Sequence, residues 1–337
     1  MSYEGYSISV HFACSAIKAA QRSGLDEQAL LQEAGIGQRL LDNAQMRMTS
    51  LQFSRLMLAL WRVGDDEFMG LAPSRSRHGV FALMARQVIG CRRLASVYYR
   101  MARFYNLVND SLRLELTADG GQTAFVMRLA DPEHDPEHLL REVFMLLWHR
   151  FASWLVGQRI GLREVHFDYP QPANHAEYRL MFPCPARFSM PDCRLVLDPQ
   201  CLDMPVVQTP ATLREHLRRA PLEWFTRPSY QATFTRSVSD LFQHDGAFRD
   251  LGIEAAAAAL HITERTLRRR LALEGVRFQA LKDGLRRDLA IHYLSQAGLP
   301  ISEIAQRLGF SEPSAFTRAF RQWTGDSPRA YREAARA

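Results

Sequence analysis

Four arginines, Arg265, Arg268, Arg269 and Arg270, crowd into six residues around Leu267 and Leu271. A guanidinium can give two parallel hydrogen bonds to guanine O6 and N7, so such a cluster could read base edges. That chemistry needs a rigid carrier. Leu267 and Leu271 are spaced i, i+4, which predicts a helix with its arginines facing outward. Before it, Ile253, Ala256, Ala257 and Leu260 form the apolar face of a shorter helix. His261-Ile262-Thr263 makes the turn, with Thr263 as cap of the second helix. A second set of polar residues, Ser314, Thr317, Arg318 and Arg321, alternates with Phe316, Phe320 and Trp323 in the same manner. Ahead of it lie Ile301, Ile304, Ala305 and Leu308, then Gly309 in the turn, where a positive φ suits glycine. Ser311 is the expected cap there, with Glu312 and Pro313 in the first turn. His261 stands where the second copy has its glycine, and histidine tolerates left-handed backbone better than most residues.

The two patterns, about 253–274 and 301–323, are helix-turn-helix signatures. Between them Phe278, Leu281, Leu285, Leu289 and Leu294 give a helical stripe. Eighteen residues make a rod of roughly 27 Å, against roughly 34 Å between successive major-groove segments on one DNA face. A rod that is slightly short implies bent DNA. The net charge of +6 is mild, but residues 233–337 hold 16 Lys and Arg against 12 Asp and Glu, so most of the excess lies here.

The preceding chain reads differently. Residues 9–62 read as helices, with Ser50 capping a helix from Leu51 to Trp61. After a Gly/Pro/Ser segment, helix runs from about Val80 to Val108, with a break near Gly90. The period then becomes two: 111–116 and 123–129 around Asp119-Gly120-Gly121 predict a hairpin. Glu137 to Val156 returns to helix, and Val165 to Tyr169 and Arg194 to Leu197 are further strands. The fold class expected is an α+β N-terminal sensor domain plus an all-α C-terminal double helix-turn-helix domain. The expected domains are 1–220, for ligand sensing and dimerisation, a linker at 221–233, and 234–337 for DNA. Within that linker Trp224 and Phe225 argue for partial packing.

For the effector, the helix through Phe81, Met84, Tyr98, Tyr99, Met101, Phe104 and Tyr105 offers aromatic and Met side chains suited to an apolar pocket. Arg86, Tyr98, Tyr99, Arg103 and Phe104 are the candidate ligand residues; Arg86 and Arg103, with Arg100, either anchor a carboxylate or form a solvated face. His166, His175 and Glu177 match no metal-ligand spacing, and Cys14, Cys91, Cys184, Cys193 and Cys201 form no C-x-x-C. No metal, cofactor or catalytic residue is expected. Nucleophile elbows, P-loops and dinucleotide glycine motifs are absent. No apolar run is long enough to span a bilayer, and Met1-Ser2-Tyr3-Glu4-Gly5 lacks a signal peptide's basic start, so a cytoplasmic protein without membrane contact is expected.

The run Ile301-Ser302-Glu303-Ile304-Ala305-Gln306-Arg307-Leu308-Gly309-Phe310-Ser311 resembles the signature of AraC/XylS-type regulators. So do Phe316 to Phe320 and the closing Gly325-Asp326-Ser327-Pro328-Arg329-Ala330-Tyr331-Arg332. Val165 to Pro172, with His175, Glu177 and Tyr178, resembles the arabinose-binding-type sensor domain of an OruR-like subgroup. The resemblance implies a seven-helix DNA-binding domain and a ligand-responsive regulator, an activator, working as a homodimer on promoter DNA with RNA polymerase and a small-molecule effector. It places base contacts on Arg265, Arg268, Arg269, Ser314, Thr317 and Arg318. Pro313 falls where a long polar side chain often sits, which implies poorer readout by the second helix. A ligand-independent DNA binder, or an enzyme domain fused to a DNA-binding module, is the alternative.

Overall fold

A computed structural model describes residues 7–119, 122–182, 184–226, 234–242, 248, 251–296 and 298–336. By contacts the chain forms two units. Residues 11–33 and 54–224 make one; residues 34–53, with 7–10 and the C-terminal residues from 225, make the other. No helix among the described residues is long and apolar enough to cross a membrane.

The first unit is α+β. Its helices are α1 (Val10–Arg22), α2 (Glu27–Ala34), α3 (Ser50–Gly64), α4 (Val80–Val88), α5 (Leu94–Val108), α6 (Leu139–Leu155), α7 (Tyr178–Met181), α8 (Pro210–Arg219) and α9 (Leu222–Phe225), α1, α2, α3 and α9 each extending by one to four residues into the other unit. Its five strands are ordered β3 (Leu112–Asp119), β4 (Gln122–Leu129), β7 (Cys193–Leu197), β5 (Leu162–His166) and β6 (Ala186–Arg187). All neighbours are antiparallel except β5 and β6. Residues 123–127 of β4 are buried on both faces, as befits an interior strand. Nearly every residue of α6 is buried, so its apolar surface extends all round, the mark of a core helix. Asn106 joins α5 to β3, exchanging two hydrogen bonds with the backbone of Leu114.

The predicted hairpin forms as β3–β4, although Gly120 and Gly121 lie outside the described residues. The helix expected over 80–108 is two helices, α4 and α5, parted around Gly90. Glu67 accepts from the amides of Gly79 and Phe81 and thereby receives the start of α4. Of the expected linker, Leu222–Phe225 is helical and both Trp224 and Phe225 are buried; residues 227–233 lie outside the described residues.

The second unit holds β1 (Ser7–Ser9) and β2 (Arg47–Thr49), paired antiparallel, and helices α10 (Phe234–Leu241), α11 (Ile253–Ala259), α12 (Glu264–Leu273), α13 (Phe278–Ser295), α14 (Ile301–Arg307), α15 (Pro313–Thr324) and α16 (Pro328–Arg336). The expectation of helix throughout 9–62 fails at 47–49, where the strand pairs with 7–9. A three-residue strand is too short to show a period of two. The cap of α3 also shifts by one: Thr49 Oγ1 accepts from Gln52 N while Gln52 Oε1 accepts from Thr49 N, a capping box.

Candidate nucleic-acid interface

The two helix-turn-helix copies share one turn, 48 residues apart. In the first, His261 has φ 55°, Ile262 N donates to Ala257 O and His261 N to Ala258 O. In the second, Gly309 has φ 74°, Phe310 N donates to Ala305 O and Gly309 N to Gln306 O. Both are Schellman closures with a left-handed residue after the helix. Thr263 caps α12 by accepting from Thr266 N, as expected. Ser311 does not cap α15. The cap position is Glu312, no side chain bonds the helix amides there, and Pro313 opens the helix.

Leu267 and Leu271 are buried beneath α12, and Phe316 and Phe320 beneath α15. The outward arginines of α12 are not equivalent. Arg268 is held by Glu264 at 2.7 Å through Nε, and Arg270 lies 5.2 Å from the Phe234 ring. Arg265 and Arg269 are exposed and have no ion pair among the described residues. They stand i, i+4, so both forks leave the same face. On α15, Ser314 donates to the Glu312 carboxylate at 3.0 Å and Thr317 to Pro313 O at 2.9 Å, which leaves both hydroxyls as acceptors. Arg318 and Arg321 are exposed and without an ion pair among the described residues.

One residue that sequence reasoning passed over is Arg286, on α13. Its Nε donates to Leu308 O at 3.0 Å, Nη2 to Phe248 O at 3.3 Å, and its guanidinium lies 4.9 Å from the Phe310 ring. Phe248 belongs to the core of the first copy, which includes Ala256, Ala257, Leu267 and Leu271, and Leu308 to the second copy. Arg286 thus ties both copies to the rod. Nothing in the local pattern distinguishes it from a solvated arginine.

In the first unit the five candidate ligand residues do not converge. Tyr98 is fully buried against Phe125, with ring centroids 4.6 Å apart. Tyr99 is 62% exposed, Arg86 and Arg103 lie on the outer faces of α4 and α5, and Phe104 is half-buried. The helical turn that sends Tyr98 inward sends Tyr99 and Arg103 outward. The interior instead gathers Tyr98, Tyr105, Phe125, Phe144 and Trp148. The hydroxyls of Tyr98 and Tyr105 and Nε1 of Trp148 are buried there with no hydrogen-bond partner. Glu142 is also buried, and desolvation raises its pKa to about 8; it accepts from the Tyr178 hydroxyl. Tyr169, Tyr178, Phe167 and Phe188 pack together, so the aromatic residues of the 165–178 motif serve the core. His166 meets Glu164 at 2.9 Å, and His175 donates to Pro172 O. Among the described residues no three His, Cys, Asp or Glu side chains are grouped to hold a metal.

Paired helix-turn-helix motifs on a shared rod, behind an α+β domain, define a DNA-binding transcriptional regulator. The chain belongs to the AraC family: residues 24–206 match the arabinose-binding domain of AraC transcription regulators, and residues 256–334 match a helix-turn-helix domain. It is 30% identical to the ornithine utilization regulator of Pseudomonas aeruginosa, over 97% of this chain and 96% of that one. It is 36% identical to the transcriptional regulator VirS of Mycobacterium tuberculosis over 54% of this chain and 53% of that one. It is 42% identical to the regulator VqsM of Pseudomonas aeruginosa over 23% of each.

Proposed function

We propose that the chain reads promoter DNA chiefly through Arg265 and Arg269 of α12, with Arg318 and Arg321 of α15 and the acceptor hydroxyls of Ser314 and Thr317 completing the footprint. The observation that supports this most is the pair of unengaged guanidinium forks at i, i+4 on the exposed face of α12. Arg268, already bound to Glu264, positions the surface more than it reads a base. The first unit binds a small-molecule effector rather than turning over a substrate. Its interior donors on Tyr98, Tyr105 and Trp148 would meet the acceptor atoms of such a ligand. Full-length likeness to an ornithine utilization regulator makes amino acids the first effectors to test. On the family likeness, the regulator is a cytoplasmic homodimer that activates transcription through RNA polymerase. Equilibrium binding to a duplex selected from a random pool tests the DNA reading. Arg265→Ala and Arg269→Ala should each cost about 1–3 kcal/mol and relax one base preference. Arg268→Ala should cost less and change no preference. Equal losses for all three, with unchanged preferences, would sink the assignment.

A further inference from the structure

Residues 34–53 lie in the sequence of the sensor half but pack within the DNA-binding unit. Their attachments are specific. Ser7 Oγ accepts from Arg47 Nε at 2.7 Å and donates to Asp288 Oδ1 on the rod α13 at 2.6 Å, a buried bond spanning 281 residues. Arg47 also donates to Ser7 O, so the short β1–β2 pair is locked from the side-chain direction as well. Tyr331 of α16 is fully buried, packs edge-on against Phe320 of α15, and donates to Arg47 O at 2.7 Å. Asn43 donates to Asp326 at 3.2 Å, and the Gln45 side chain lies over Gly325, 2.6 Å from where a Cβ would be. Gly325 is the left-handed residue that ends α15, and its amide donates to Arg321 O.

These partners, Gly325, Asp326 and Tyr331, belong to the closing run of the family signature. Here they engage the segment 43–47, and they do so at the C-terminal end of the second recognition helix. We propose that residues 34–53 are a strap that holds α15 in its DNA-reading orientation, by clamping the Gly325–Asp326 turn and α16 against the rod. The inference rests on the reading of α15 as a DNA-contacting helix. The strap is continuous with the first unit at both ends, through Glu33 and Ser54, so a ligand-driven change in that unit would reach α15 along the chain itself. The first copy has no such attachment among the described residues, so control would fall on the second half of the site alone.

The test uses the full chain and the variant S7A/N43A/Y331F, which keeps the Tyr331 ring in the core while removing four of the hydrogen bonds described above. Both are titrated onto a duplex selected from a random pool by the wild-type chain, and onto copies with base substitutions in either half. Amide exchange at residues 7–9 and 47–49 reports whether the strap has been released. Release should speed exchange, weaken binding about tenfold, and abolish discrimination in the half read by α15 while preserving it in the half read by α12. Equal losses in both halves, undiminished discrimination with the strap released, or unchanged amide protection would each overturn the proposal. A wild-type chain indifferent to every substitution in the second half would instead refute the DNA-contacting role of α15. If the triple variant does not fold, N43A alone should show the same half-site asymmetry in smaller measure.

Discussion

The turn residues of the two helix-turn-helix copies differ although their backbones agree. His261 and Gly309 both sit in the left-handed region. A side chain there costs on the order of 1 kcal/mol through contact of Cβ with the following carbonyl. Gly309→Ala should therefore lower stability by about 1 kcal/mol. His261→Gly should raise it, by less, because glycine also loses more chain entropy on folding. Thermal melting of the full chain checks both, and a stabilised Gly309→Ala would contradict the argument. The left-handed turn was legible in the sequence because Gly309 marks it and the 48-residue repeat carries it to His261. The division of labour among the four arginines was legible only in part: Glu264 stands i, i+4 to Arg268 within α12, but the Phe234 ring that meets Arg270 comes from a separate helix.

At the scale of elements, the rod is the decisive piece. Its limits, Phe278–Ser295, coincide with those read from the leucine stripe. Arg286, in its middle, supplies charged hydrogen bonds to carbonyls of both copies. Hydrogen bonds from charged groups contribute about 1.5–3 kcal/mol. Arg286→Ala should destabilise the DNA-binding unit by about 2 kcal/mol and weaken binding even though the residue faces no base. Arg286→Lys should recover only part of this, since an ammonium cannot present the planar fork that reaches two carbonyls at once. Equilibrium denaturation and DNA titration of the three proteins measure it, and a fully functional Arg286→Ala would show that the rod holds the copies by apolar contact alone. In the first unit, the strands were legible where alternation is strict, as in β3. The pair β1–β2 was not, because its two strands are three residues each and lie nearly forty residues apart.

For the whole chain, a ligand that binds the folded first unit must stabilise it by mass action, by about 2.7 kcal/mol at a hundredfold excess over Kd. Melting the chain with single amino acids and related amines should reveal one that raises the transition. Tyr105→Phe removes a buried hydroxyl that has no protein partner, so it should leave the unliganded transition in place and diminish the ligand-induced rise. A rise of the same size in both proteins would move the effector elsewhere. The sequence by itself determined the class of each half, the two DNA-reading motifs and the rod between them, because these depend on periods of 3.6 and 2 and on turn chemistry within a few residues. Only the tertiary structure decided which arginines of α12 remain available. Only it separated inward Tyr98 from outward Tyr99 and Arg103, and showed that residues 34–53 pack with the C-terminal helices. The packing of residues 34–53 rests on contacts between residues as much as 284 positions apart, which no local spacing encodes; helical spacing sets which residues share a face of α5 or α12, and packing decides which face turns inward.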